Sequence, residues 1–107
     1  MTAIEVARLD ELTPNQAKYA MLQDLPVCVV LDDHGEVHCI GDRCSHGDVS
    51  LSEGFFEDGT VECWAHGAKF DLRTGAALSL PAYEPVPAFP VTIVDGIVYA
   101  DPTPKEF

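Results

Sequence analysis

Apolar residues in this chain come in short runs, and turn-forming clusters of Asp, Gly and Pro fall between them. The run "PVCVVL", Pro26 to Leu31, is followed by "DDHGE", in which Gly35 suits a left-handed position. "VHCI" comes next, so Val27 to Ile40 reads as a hairpin. Its register is open by one residue, which leaves open whether Cys28 lies near Cys39. "TVECW" is a further strand, entered from the turn "EDGT". "AKFDLRTGAAL" reads as two short strands around Arg73-Thr74-Gly75. "PVTIV-DG-IVYA" is the clearest hairpin, because Asp95-Gly96 favours a type I′ turn between two β-rich runs. Thr13-Pro14 fits either a helix cap or a turn, and with strands elsewhere we read Lys18 to Leu22 as a strand. "LPAYEPVPAFP", Leu80 to Pro90, carries four prolines and reads as a stiff extended loop. The pattern predicts an all-β domain of short antiparallel strands, a sandwich or a partly open barrel.

Composition narrows this. With 107 residues, the chain suffices for one small domain, and no linker or repeat divides it. Its core is modest, so a bound metal centre would add to stability. Apolar residues make up 47%, which argues against disorder. No apolar run approaches the ~20 residues needed to cross a bilayer. The N-terminus lacks the basic-then-apolar pattern of a signal peptide, so a cytoplasmic protein without membrane attachment is expected. The net charge is −12, from 18 acidic against 6 basic residues, which excludes nucleic acid as a natural partner. Such charge serves solubility, or docking against a partner with a basic face.

The four cysteines do not read as a disulfide framework, since a cytoplasmic chain keeps its thiols reduced. Cys28 and Cys39 lie in apolar runs and read as buried small hydrophobes. Cys44 and Cys63 differ. In "CSHGDVSLSEGFFEDGTVECWAHG" each stands beside a histidine, as Cys44-x-His46 and Cys63-x-x-His66. Four ligand types at fixed loop spacing form a metal-site pattern. A structural zinc site uses the same donors, but its two cysteines usually come from one turn and its two histidines from another. Cys-His nucleophilic catalysis lacks a third orienting group and an oxyanion motif. A binuclear centre explains the alternation better: the thiolates meet on one iron and the imidazoles on the other. His34 and His38 have no ligand-spaced companion and read as structural. Asp71 reads as the residue that holds the Asp-Leu-Arg-Thr-Gly turn.

"CSHGDVSLSEG" and "CWAHGAKFDLRTG" resemble the two cluster loops of Rieske proteins. The likeness runs from about Val27 through Phe70-Asp71, Thr74-Gly75, the Pro-rich segment and the last strand-Asp-Gly-strand. It is greatest to the small ferredoxins of bacterial ring-hydroxylating dioxygenase systems. The resemblance implies a Rieske fold: a basal antiparallel β-sandwich of about 1–40 and 84–107, and a cluster-binding subdomain of about 41–83. It implies one [2Fe–2S] cluster, with Cys44 and Cys63 on one iron and His46 and His66 on the other, and the Pro-rich loop packed over it. Gly47 and Gly67, each after a ligand histidine, would allow positive φ and close backbone approach. Trp64 would shield the cluster, shape a docking face or simply pack, and Lys69 would either favour the reduced state or be solvated. It implies a monomeric electron carrier, not an enzyme, between a flavin-containing NAD(P)H-dependent ferredoxin reductase and a terminal oxygenase. The remaining alternatives are a small Rieske subunit of another oxidoreductase, a structural zinc module and an Fe–S sensor.

High-potential Rieske proteins join their loops by a disulfide, and Val49 and Ala65 occupy those positions here. They also bond cluster sulfur with a Ser and a Tyr hydroxyl, where this chain has Ala68 and Phe70. These departures place the expected potential low in the Rieske range, around −150 mV.

Overall fold

A computed structural model describes residues 3–44, 49–65, 67–79 and 84–105. Ten strands lie among these residues: β1 Ile4–Arg8, β2 Gln16–Leu22, β3 Leu25–Leu31, β4 Val37–Gly41, β5 Phe55–Glu57, β6 Thr60–Glu62, β7 Lys69–Asp71, β8 Ala88–Phe89, β9 Val91–Val94 and β10 Ile97–Ala100. They form three antiparallel sheets, ordered β1-β10-β9, β2-β3-β4-β8 and β5-β6-β7. Among the described residues helix is confined to two short 3₁₀ turns, Leu9–Glu11 and Leu51–Glu53. Among the described residues no helix is long and apolar enough to cross a membrane.

The middle sheet organises the molecule. Opposite residues of an antiparallel pair share a face, and successive residues alternate faces. Cys28 lies opposite Ile40, and Val30 opposite His38. Val29 lies opposite Cys39, so Cys28 and Cys39 point to opposite sides of the sheet. Cys28, Val30 and Ile40 enter one buried core with Cys44, Leu51, Val61, Cys63 and Phe70. Val27, Val29, Cys39 and Phe89 enter a second core with Val6, Leu22 and Val98. This is why "PVCVVL" is a continuous apolar run rather than an alternating one: Val27 to Val30 are fully buried on both faces. Each buried valine there contributes about 1.5–3 kcal/mol relative to exposure.

Turn chemistry holds as expected. Asp95 and Gly96 both have positive φ (52° and 77°), as a type I′ turn requires, and Asp58-Gly59 repeats the pattern. Gly35 sits at φ 87°. Gln16–Leu22 is a strand, as read for Lys18 to Leu22. Two expectations need correction. After β7 the chain makes only an isolated bridge, Phe70 to Ala77, rather than a second strand. Gly75 turns away there, its carbonyl accepting from Val86 N–H at 2.8 Å, and a side chain at Gly75 would collide with the Val86 carbonyl. The Pro-rich segment is not loop throughout. Ala88 and Phe89, lying between Pro87 and Pro90, keep their N–H groups and pair with β4 as β8. Residues 80–83 of that segment lie outside the described residues.

Candidate metal centre

Both ligand-type cysteines lie where a strand ends and a loop begins. β4 ends at Gly41, and Cys44 N–H donates to Val49 O at 3.0 Å. β6 ends at Glu62, and Cys63 N–H donates to Ala68 O at 2.7 Å. The two loops, 44–49 and 63–68, therefore have the same length and share this closing bond, although the Cys-to-His spacing along the sequence differs. Gly67 has φ 75°, and its N–H donates back to Cys63 O at 3.0 Å. Only a residue tolerant of the left-handed region makes that turn cheaply. Cys44 and Cys63 are 3% and 1% exposed and belong to one core. His46, Gly47 and His66 lie outside the described residues.

What fixes the first loop escaped the sequence reading. Asp42, two residues before Cys44, is buried. Its carboxylate accepts from the Ser52 N–H at 2.9 Å and the Ser50 hydroxyl at 2.5 Å, and its carbonyl accepts from Leu51 N–H at 2.6 Å. Arg43 and Ser50 form a bridge beside it. The return of the chain after the loop is thus tied to its departure point. The sequence hint was an Asp just before a ligand-type Cys, with two serines in "VSLSEG" downstream.

The second loop rests on the small sheet. Phe56, Val61, Phe70 and Ala77 form one row pointing into the core with both cysteines. Ala68 and Phe70 are fully buried there, without hydroxyls. Phe55, Glu62 and Lys69 form the neighbouring row. Lys69 lies half-exposed, 4.0 Å from Glu62 across that row, so its charge is solvated and paired. Trp64 is 51% exposed and is therefore not packed into the core. Asp71 holds its turn as expected, accepting from the N–H groups of Arg73 and Thr74 at 2.7 and 3.2 Å.

The other cysteines and histidines separate from this centre. Burial pushes the Cys39 thiol up to about 12. Burial, and then the Asp42 charge, push the Cys28 thiol well up, so both stay protonated. Among the described residues no disulfide forms. His38 has a partner the sequence reading did not supply: its Nε2 lies 2.7 Å from Asp32 Oδ2. Asp32, Glu36 and His38 bring ligand-type atoms within 4.8 Å of one another. Asp32 is already engaged, by the His38 ring and by the N–H groups of His34 and Glu36, so the group is a satisfied hairpin tip. His34 is exposed.

Two buried thiols opening two matched loops suit an iron–sulfur centre, since thiolates bind iron–sulfur clusters and a buried setting excludes water. A profile of the Rieske [2Fe-2S] domain matches residues 2–90. The chain belongs to the Rieske [2Fe–2S] family. Its fold is the all-β Rieske fold, its cofactor is a [2Fe–2S] cluster, and the zinc reading falls away. The 3-phenylpropionate/cinnamic acid dioxygenase ferredoxin subunit of Photorhabdus laumondii is 42% identical over 100 residues, covering 92% of this chain and 93% of that protein. The subunit of the same name in Escherichia coli K12 is 48% identical over 77 residues, or 71% of this chain and 73% of that one. Among solved structures, the ferredoxin of carbazole 1,9a-dioxygenase from Nocardioides aromaticivorans IC177 superposes with a TM-score of 0.91 at 33% identity, over 96% of this chain and 100% of that one. A ferredoxin solved in complex with its oxygenase, in a carbazole 1,9a-dioxygenase, gives 0.88 at 27% identity, over 98% and 97%. This Rieske chain is an electron carrier of the dioxygenase ferredoxin type, and not itself a catalyst.

Proposed function

We propose that Cys44 and Cys63 hold one iron of the cluster, and His46 and His66 the other. The observation that supports this is the burial of both cysteines in one core, each opening a loop that its own N–H closes onto a carbonyl five residues on. The histidines follow from the spacing inside those loops. When bound, the cluster supplies a one-electron couple, with no group transfer. The chain's own part is to hold the two thiolates, exclude water with Leu51, Val61, Phe70 and Val86, and leave the edge near Trp64 open to a partner.

The organisation proposed is one domain over 1–107, with a basal part of about 1–40 and 84–107 and a cluster-binding part of about 41–83. The two cores on opposite faces of the β2-β3-β4-β8 sheet support this division. Val86 enters the core that holds both cysteines, which supports a covering role for the Pro-rich segment. The chain works in the cytoplasm as a monomer. It takes electrons from a flavin-containing NAD(P)H-dependent reductase and delivers them to the terminal oxygenase of an aromatic-ring dioxygenase. The relatives named above support the oxygenase end. A flavin suits the other end, since it accepts a hydride from the nicotinamide and releases single electrons.

The test is a rapid-mixing relay with the loaded protein. A flavin reductase with NADH should reduce it, and an aromatic-ring dioxygenase should then reoxidise it in a single turnover. Both rates should shift with ionic strength, because a surface of charge −12 is attracted to basic docking faces and salt screens that field. A protein that dithionite reduces but no such reductase does would overturn the upstream assignment.

A further inference from the structure

Two buried acids stand out among the described residues, and they differ in their neighbours. Asp32 is 5% exposed and faces a histidine ring that can share its charge. Asp42 is 4% exposed, and among the described residues the hydrogen bonds to its carboxylate come from neutral donors, the Ser50 hydroxyl and the Ser52 N–H. Such donors satisfy the oxygens without cancelling the charge. Arg43 is exposed, and water screens an exposed charge far more than a buried one. Along the chain, Asp42 lies at most about 7 Å from Cys44, Cα to Cα. Its field reaches the core, since it is one cause of the raised Cys28 thiol, and Cys28 shares that core with Cys44 and Cys63.

We propose that Asp42 is a positioning residue that sets the reduction potential of this ferredoxin. Its carboxylate ties residues 50–52 to the mouth of the first loop. Its fixed negative charge opposes the arrival of an electron and so holds the potential down. Ser50 moderates that charge by donating to it. The inference rests on Cys44 as a cluster ligand, and failure of that reading would show separately, as loss of iron and of the native spectrum in Cys44→Ser.

The experiment is voltammetry of the loaded full chain and two variants. Asp42→Asn keeps the shape and an acceptor for the Ser52 N–H but removes the charge. It should keep the native absorption spectrum and raise the potential by roughly tenfold in the reduction equilibrium, about 59 mV for a one-electron couple. Ser50→Ala keeps the charge and removes a donor that offsets it, so its potential should fall, by a smaller factor. Loosening of the loop alone would move both variants in the same direction. An unchanged or lowered potential in Asp42→Asn overturns the proposal. If Asp42→Asn does not load iron, Ser50→Ala decides: a lowered potential supports the proposal, and an unchanged or raised one overturns it.

Discussion

Cys28 and Cys63 are buried to nearly the same degree in the same core, at 0% and 1% exposure. Their backbones separate them. Cys28 sits in the middle of β3, opposite Tyr19 on one side and Ile40 on the other, so its main chain is committed to two ladders. Cys63 stands just past the end of β6, with its N–H turned to Ala68 across a loop. A thiol locked in a ladder fills space, whereas a thiol at the mouth of a closed loop is presented toward whatever the loop encloses. Burial therefore does not separate the cysteine proposed as a ligand from the one read as core, and strand position does.

The largest test of this contrast is ligand removal. Cys44→Ser, Cys63→Ser, His46→Ala and His66→Ala should each abolish the native spectrum and the bound iron. Cys28→Ala and Cys39→Ala should keep both and cost about 1 kcal/mol of stability. His34→Ala and His38→Ala should also keep the spectrum. A native spectrum in Cys63→Ser would break the contrast outright.

The two cores offer the next test. Phe70→Ala and Phe89→Ala should each destabilise the protein by about 3–5 kcal/mol, read from urea midpoints. Only Phe70→Ala should also disturb the spectrum, because Phe70 shares a core with Cys44 and Cys63 and Phe89 lies in the other. Equal spectral disturbance in both variants would mean that the sheet between them does not insulate the centre.

A smaller effect is expected at the hairpin tip. Burial opposes the Asp32 charge, but bonds from the His38 ring and from the N–H groups of Glu36 and His34 outweigh it and hold the carboxyl below the usual range. A lowered folded value contributes stability that is fully present above the unfolded value, about 3.9, and is lost as pH falls through the folded one. Asp32→Asn should cost about 1–3 kcal/mol at neutral pH and flatten the acid limb of the stability curve below about pH 4. An unchanged acid limb would assign that loss to other carboxylates.

The smallest expected change is at the missing hydroxyls. Ala68 and Phe70 face the core that holds both cysteines, so Ala68→Ser and Phe70→Tyr place new donors on that side. Each should raise the potential from its expected place near the low end, around −150 mV. A wild-type potential well above about 0 mV would show that main-chain donors outweigh the absent hydroxyls.

Much of this was legible in the sequence because it is local. The Asp95-Gly96 turn, the tip at Gly35 and the turn held by Asp71 are each set by residues a few positions apart. The pairing of β1 with β10 was not, since it joins the two ends of the chain. Nor was β5, whose "FFE" shows no alternation of its own and is a strand only because β6 lies beside it. The facing of Cys28 and Cys39 depended on a register that one residue of slip would reverse, and the ladder to β2 and β4 settles it. Asp42 and Asp32 escaped because a buried acid looks like any surface acid until its donors are seen.

β3 also bears on how this chain can drift over generations. Val29 and Val30 are neighbours in sequence, yet they answer to different cores. A strand with one wet face has positions where mutation passes unnoticed, and the stretch Val27 to Val30 has none. Every change there must suit one of two packings and leave its neighbour undisturbed in the other. Descendants of this sequence should therefore exchange only residues of similar volume along that stretch. Thr92 to Gly96, exposed throughout, should accept nearly any residue that keeps the turn.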